Sequence, residues 1–480
     1  MNTKSNSRNR KGPRASGWRC EGRQSPIQSG DGMEGPRLLR CLAVLFTGWA
    51  AVALAAPVTF HKDIEPVLQA HCQSCHRPGE IGPMSLLTYN DTRPWAKSIR
   101  QAVLTRKMPP CFADNSVQHY SNDVSLSAAD IDTIKNWVDT GAPEGDPKLA
   151  PPPRSFVEGW NIGKPDMVVE MQAAFEIPAR GTIDYTYIII PTNFKEDVWV
   201  RALEVRPEDR THVHHIVLFE RQAGSKWLRE YPAGVPFVPA PREGTKQRTS
   251  DGDRTLEGSR ADEWLVGYAP GVQEYRLPEG TAFRIRAGSD FVLQLHYTTN
   301  GKPSSDRSKI GMVVSKTSPT KRAFVASVYD ASFVIPPGDA NYSAKGQLTL
   351  ASDAQILAAA PHMHLRGKAM DMRAVYPTGE SETLFHVPNY DFNWQTNFYF
   401  AAPKLLPRGT KLEVIGTWDN SANNRFNPDP SAEVRWGDQT WEEMLLGLTT
   451  LQIDPNADLD KLFQAPPKPV QQAAVSEPRP

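Results

Sequence analysis

From about residue 158 onward the chain is written in short runs of β-branched and aromatic residues. TYIIIP, VWVRALEV, HHIVLF, FVLQLHY and KLEVIGTW are examples, each soon broken by Gly, Pro or Asn. Strands punctuated by turn residues in this way predict antiparallel β-sandwiches. The 42 prolines and 33 glycines in 480 residues supply the turns. Domains usually run to about 100–200 residues, so this stretch suits two jelly-roll-like sandwiches, at 158–318 and 319–464, with a boundary near 313–325.

Residues 57–150 read differently, as a small all-α unit. Phe60, Ile64, Val67 and Leu68 fit one face of a short helix leading into His71-Cys72. Ser127 with Asp130 three residues on is a capping-box pattern. Ile131, Ile134, Trp137 and Val138 then form an apolar stripe that Gly141 is placed to end. The proline-rich GAPEGDPKLAPPPR is a linker.

Within this unit, Cys72-Gln73-Ser74-Cys75-His76 is the c-type haem attachment pattern. Two thiols at this spacing form thioethers to the haem vinyls, and the next histidine lies under the iron. Half a zinc site would need a second ligand pair, which the unit lacks. The expectation is a cytochrome c-like domain with one covalently bound haem c. Met108, in a loop stiffened by Pro109 and Pro110, is the expected sixth ligand, and thioether ligation there would raise the iron potential. Met84 competes but reads equally well as core packing. Cys111 is expected to be a buried free thiol, and His61, His71 and His119 packing or surface residues.

Arg37 and Arg40 precede the apolar run CLAVLFTGWAAVALA, which ends in Ala53-Leu54-Ala55. That is the pattern of a secretory signal peptide, and the run is short for a membrane span. Residues 1–56 therefore read as an extension and signal peptide, with Met33 an alternative start and a periplasmic or secreted product. The chain as a whole has no net charge. Removing residues 1–55, with nine basic and three acidic residues, leaves 45 basic against 51 acidic, a net of −6. Nucleic acid is thus an unsuitable partner. No cysteine follows Cys111, so the β region is expected to be free of disulfides despite export. The tail, 465–480, reads as disordered.

Six of the seven histidines beyond residue 200 fall in three strand-like segments: THVHHIVLF, FVLQLHY and APHMHLRG. Side chains alternate along a strand. Gln294 and His296 therefore share one face while Phe291, Leu293 and Leu295 enter a core, and His362 and His364 can reach one metal. His214 and His215 are adjacent, so joint ligation requires a bulge or a strand end; His212 with His214 would suit a regular strand better. His386 stands apart and reads as structural. Neutral imidazoles with a thioether, Met444 in WEEMLLGL, are ligands for copper that cycles through its soft reduced state.

The order HHxxLF, QxHY, HxHxxG, EEM resembles the copper type II, ascorbate-dependent monooxygenases, the peptidylglycine α-hydroxylating and dopamine β-monooxygenase family, over residues 165–455. The resemblance implies two β-sandwich domains and two copper ions. His214, His215 and His296 would hold the electron-supplying copper, and His362, His364 and Met444 the oxygen-activating one. There O2 would hydroxylate an organic substrate's C–H bond, using electrons from an ascorbate-like reductant or a redox protein. Gln294 matches a glutamine two positions before the family's third histidine ligand and joins the catalytic set. Two departures stand out. The β region lacks the disulfides of eukaryotic members, and Ala360 and Leu448 replace the arginine and tyrosine that grip a substrate carboxylate in the peptide-hydroxylating ones.

The tethered haem raises the local concentration of an electron donor and is expected to feed the first copper; the rival is the opposite path, with the haem exporting electrons from a copper-centred oxidation. The competing readings are a non-catalytic haem and copper relay or sensor, and a copper-handling protein. A single methionine apart from two histidine sets favours catalysis, because a carrier more often clusters its methionines.

Overall fold

The computed structural model describes residues 57–110, 113–240, 262–269 and 275–464. The signal-peptide segment, Cys111 and the tail lie outside them. A π-helical turn (Phe60–Ile64) runs into α1 (Glu65–His71), and α2 (Tyr89–Thr92), α3 (Ala96–Leu104) and α4 (Ala128–Asp139) follow. Ser127 Oγ accepts from Asp130 N, and the Asp130 carboxylate accepts from Ser127 N, closing the capping box. Phe60, Ile64, Leu68, Ile134 and Trp137 are buried together. Gly141 takes φ +96°, the left-handed conformation suited to a helix end. No helix among the described residues is long and apolar enough to cross a membrane.

The remainder is mostly β. The strands in its first half are β1 (Met167–Glu170), β2 (Phe175–Ile177), β3 (Thr186–Pro191), β4 (Val198–Arg206), β5 (Val213–Arg221), β6 (Asp262–Tyr268), β7 (Tyr275–Arg276), β8 (Thr281–Ile285), β9 (Asp290–Tyr297), β10 (Ser304–Asp306) and β11 (Lys309–Val314). Those in the second are β12 (Lys321–Tyr329), β13 (Val334–Ile335), β14 (Tyr342–Thr349), β15 (Ala354–His362), β16 (Gly367–Val375), β17 (Ser381–Val387), β18 (Phe398–Leu406), β19 (Lys411–Trp418), β20 (Val434–Arg435) and β21 (Leu446–Ile453).

A nine-stranded sheet, ordered β1-β11-β4-β8-β12-β21-β15-β18 with β7 beside β4, runs through both halves. Sheet β3-β9-β5-β6 belongs to the first half and β14-β19-β16-β17 to the second. One apolar core gathers Ile188, Leu218, Phe283 and Leu293 from the first half. The other gathers Ile356, Met370, Phe385 and Trp418 from the second. Each core therefore draws on both its own four-stranded sheet and the long one, as layered β packing requires.

The halves are joined through β8, antiparallel to β4 but parallel to β12, where Thr281 pairs with Lys321. A buried ion cluster reinforces the junction. Arg322 of β12 donates to both oxygens of Glu263 of β6 at 2.6 and 2.7 Å. Arg286 reaches Glu263 at 2.5 Å and Glu220 at 3.0 Å.

The helical unit is fastened to both halves. On the second, Tyr120 forms a bridge with Phe400, Ser121 N donates to Tyr399 O at 2.8 Å, and Asn122 Nδ2 donates to Asn397 O at 2.6 Å. On the first, both Glu80 carboxylate oxygens accept from Arg210 Nη1, at 2.7 and 2.9 Å.

Candidate metal centres

Strands β5 and β9 pair antiparallel, Val213 with Tyr297 and then His215 with His296. The register skips His214, so this residue is the extra one of a β-bulge. A bulge re-aims its side chain, which answers the geometric objection to adjacent ligands. The Nδ1 atoms of His214 and His215 lie 3.1 Å apart. One ligand nitrogen from each of His214, His215 and His296 falls within 4.8 Å of the others. Two nitrogens bound to one metal at about 2.0 Å stand about 3 Å apart. The Tyr185 ring packs edge-on against His215 and His296, at 5.4 and 4.7 Å.

His212 is committed elsewhere. Its Nδ1 lies 2.6 Å from Asp209 Oδ2 and its Nε2 3.2 Å from Lys302 O. It secures the turn that enters β5. On β9, Gln294 is buried and its amide donates to the Tyr187 hydroxyl, while Phe291, Leu293 and Leu295 point into the core.

The second set lies where β15 ends. His362 pairs with Leu446 on β21, so Met444, buried two residues before Leu446, belongs to the same end of the sheet. The rings of His362 and His364 are perpendicular, with centroids 5.3 Å apart. His362 Nδ1 lies 2.8 Å from Gln395 Oε1, and His364 Nδ1 3.2 Å from the Glu442 carbonyl. A neutral imidazole donating from Nδ1 leaves Nε2 as the lone pair. His364 Nε2, His214 Nε2 and His296 Nδ1 are buried with no hydrogen-bond partner among the described residues. Unpartnered buried nitrogens are costly, and a metal would satisfy them.

Glu443 holds the second set together. Fully buried, it accepts from His364 N at 2.8 Å, Arg366 N at 2.7 Å and Trp418 Nε1 at 2.9 Å. It thereby ties the His-Met-His turn to the residue beside Met444. Burial pushes its carboxyl up to about 7, against the pull of these donors.

Burial also lowers every histidine of both sets. His214 and His362 fall to about 4, His296 and His364 to about 3, and His215 well below the usual imidazole range. Neighbouring histidines add to the effect at His215, among them His362 and His364 of the other set. All five are therefore neutral near pH 7, the form that binds metal.

The cysteine motif follows α1. Cys75 N and His76 N both donate to Cys72 O, at 3.2 and 3.0 Å, forming a tight turn. Burial raises both free thiols, Cys72 to about 12. His76 Nδ1 lies 3.2 Å from Met84 O, which leaves Nε2 as the ring's available lone pair. A Cβ on Gly82 would stand 2.7 Å from Cys75 O and 2.8 Å from His76 Nδ1, so only glycine fits there. Met84 packs on the helical core, and Met108 is half-buried in the turn after α3. Three other histidines have ordinary partners: His61 has Glu65 at 2.9 Å, His71 the Val124 carbonyl at 3.1 Å and His386 Asp371 at 2.6 Å.

A small cavity of about 20 Å³, lined by Trp264, Leu265, Val266, Val325, Leu448 and Thr450, among others, lies between β6 and the long sheet. No ionisable side chain lines it. Ala360 pairs with Leu448, and His362 with Leu446. Cross-strand partners share a face, and two residues along a strand advance about 7 Å. The cavity thus begins roughly one such step from His362.

No protein-family profile and no curated protein sequence matches the chain. Among solved structures, the major capsid protein P2 of bacteriophage PM2 aligns at 10% identity and TM-score 0.25, covering 61% of this chain and 99% of its own. The VP2 subviral particle of infectious bursal disease virus aligns at 10% and 0.18, covering 62% and 76%. PNGF-II aligns at 8% and 0.26, covering 60% and 65%. Likeness at this level carries no functional argument.

Proposed function

We propose that the protein is an exported copper-dependent monooxygenase that hydroxylates a C–H bond of an organic substrate with O2. In this reading a fused cytochrome c-like domain is its electron-transfer partner. The observation that carries it is the pair of buried, neutral histidine sets. One has three imidazoles meeting at a bulge, and the other has two imidazoles with Met444 at the same sheet end.

Copper at these sets would supply oxygen activation and one-electron steps, and a haem held by Cys72, Cys75 and His76, with Met108 as sixth ligand, would supply the electrons. His214, His215 and His296 give an all-nitrogen set suited to electron transfer, while the thioether of Met444 favours the reduced metal. Gln395 and the Glu442 carbonyl fix the ring orientations of His362 and His364. Glu443 keeps the ligand turn against Met444. With Ala360 and Leu448 on the strand positions that lead to His362, no charged anchor for a substrate carboxylate stands there, which disfavours peptide amidation.

Direct supply from the haem unit is supported by its placement. Glu80, four residues after His76, is bound to Arg210, which stands four residues before His214. Tyr268 pairs with Ile216 beside His215. Burial raises the Tyr268 hydroxyl, and Arg210, Glu80 and Cys75 all lie close enough to act on it.

The test is oxygen uptake by copper-loaded protein with ascorbate or a redox-protein donor. The proposal expects uptake that Met444→Ala abolishes while copper remains at His214, His215 and His296. Uptake indifferent to Met444→Ala would overturn it.

A further inference from the structure

The two histidine sets belong to different halves of the β region, yet one loop touches both. Residues 388–397, between β17 and β18, carry Gln395, the partner of His362. Tyr390 in the same loop accepts from Met363 N at 3.0 Å and donates to Met363 O at 2.7 Å, holding the residue between His362 and His364. The loop is tethered at both ends, by Tyr390 N donating to Lys368 O at 2.9 Å and by Asn122 bonding the Asn397 carbonyl.

Between these anchors Phe392 is buried, with only 9% of its surface exposed. Its ring stacks on His214 at 5.3 Å and 18°, stands 6.2 Å from His296, and meets His364 edge-on at 6.1 Å. It is one side chain in contact with ligands of both sets.

We infer that Phe392 is a positioning residue shared by the two metal centres. It walls the His214, His215 and His296 centre off from exogenous ligands and spaces it from the His362, His364 and Met444 centre. The inference rests on the reading that both sets bind copper. A buried phenyl ring offers water no hydrogen bond, so the space it fills between the sets stays dry. Stacking also restricts rotation of the His214 ring, whose placement on a bulge gives it less support from the sheet ladder. Toward the second centre the ring presents only an edge, 6.1 Å from His364, whereas it lies flat on His214. The two centres should therefore differ in their response to a small anion, and Phe392 should be the cause.

The experiment uses the full chain loaded with Cu(II), with copper counted first and azide as the probe. Azide binding is followed by its charge-transfer absorption and by copper electron paramagnetic resonance. The wild type is expected to show one azide-responsive copper per chain, and Phe392→Ala two. Phe392→Tyr, which keeps the ring, should return to one. Phe392→Leu fills most of the volume and guards against loss of the fold; it should still bind azide at the first copper several-fold more tightly than wild type. Two responsive coppers in the wild type, or one in both Phe392→Ala and Phe392→Leu with unchanged affinity, would overturn the inference. A chain that takes up no copper at all would instead overturn the functional reading on which it rests.

Discussion

Acid stability reads out directly how the ligand histidines are buried. His364 is 1% exposed, and burial, reinforced by His362, holds its ring at about 3 against 6.5 for a free imidazole. In the unfolded chain that ring protonates as pH falls through 6.5; in the folded, metal-free protein it stays neutral until about 3. Between these values the unfolded state binds more protons, so stability is fully present above the unfolded value and is lost as pH falls. Each unit inside this window costs about 1.4 kcal/mol per group. From pH 6.5 to about 5, His364 alone removes about 2 kcal/mol. His214, His215, His296 and His362 are lowered likewise. His214, His296, His362 and His364 together remove roughly 8 kcal/mol, of which Glu443 and Glu220, raised to about 7, return roughly 4 because they bind a proton in the folded chain first. Chelator-treated protein should therefore lose roughly 4 kcal/mol of stability between pH 6.5 and about pH 5. Urea unfolding followed by tryptophan fluorescence across this range measures it. His364→Gln cannot take up the proton and should flatten the slope of stability against pH by about 1.4 kcal/mol per unit. Parallel slopes for variant and wild type, or a flat wild-type profile, would refute the reasoning.

Three further outcomes can be checked on the same protein. Arg322→Ala leaves Glu263 only its contact with Arg286 and should cost about 1.5–3 kcal/mol in urea unfolding, whereas Arg322→Met in combination with Glu263→Leu should cost less, because Arg286 keeps Glu220. Glu443→Ala leaves three buried N–H groups without an acceptor and should cost roughly 3 kcal/mol or more; metal analysis should show copper lost from the Met444 set first. Glu80→Ala removes the contact with Arg210 and should slow anaerobic electron transfer from reduced haem to Cu(II), read by stopped-flow absorption. The haem potential, measured by titration, should not change.

Much of the architecture was legible because it depends on local pattern. Period-two alternation separated Gln294 and His296 from the core residues Phe291, Leu293 and Leu295, and the Ser127–Asp130 spacing marked the start of α4. The grouping of His214, His215 and His296 could be suspected from strand-borne histidines alone. Their geometry could not, because a bulge is a relation between two strands. Only the pairing of His215 with His296 shows that His214 is the extra residue and that His212 belongs to Asp209. The sheet shared through β8 and β12 was invisible for the same reason, as parallel pairing between distant segments leaves no local mark. Glu443 sat unremarked beside Met444, since nothing in a sequence distinguishes a buried carboxylate from a solvated one. Phe392 and Gln395 lie in PNYDFNWQTN, a stretch that reads as a surface turn. Its three aromatic residues among polar ones were the available hint that it packs inward.

Whether this chain carries two coppers and a covalent haem is decided by stoichiometry. Protein made in a host that attaches haem c and loaded with copper should be analysed for copper by elemental analysis and for haem by its alkaline pyridine spectrum. Two coppers and one covalent haem per chain are expected, with Met444→Ala weakening one copper and His296→Ala the other. One copper or none in the wild type, or haem released by acid acetone, would contradict it.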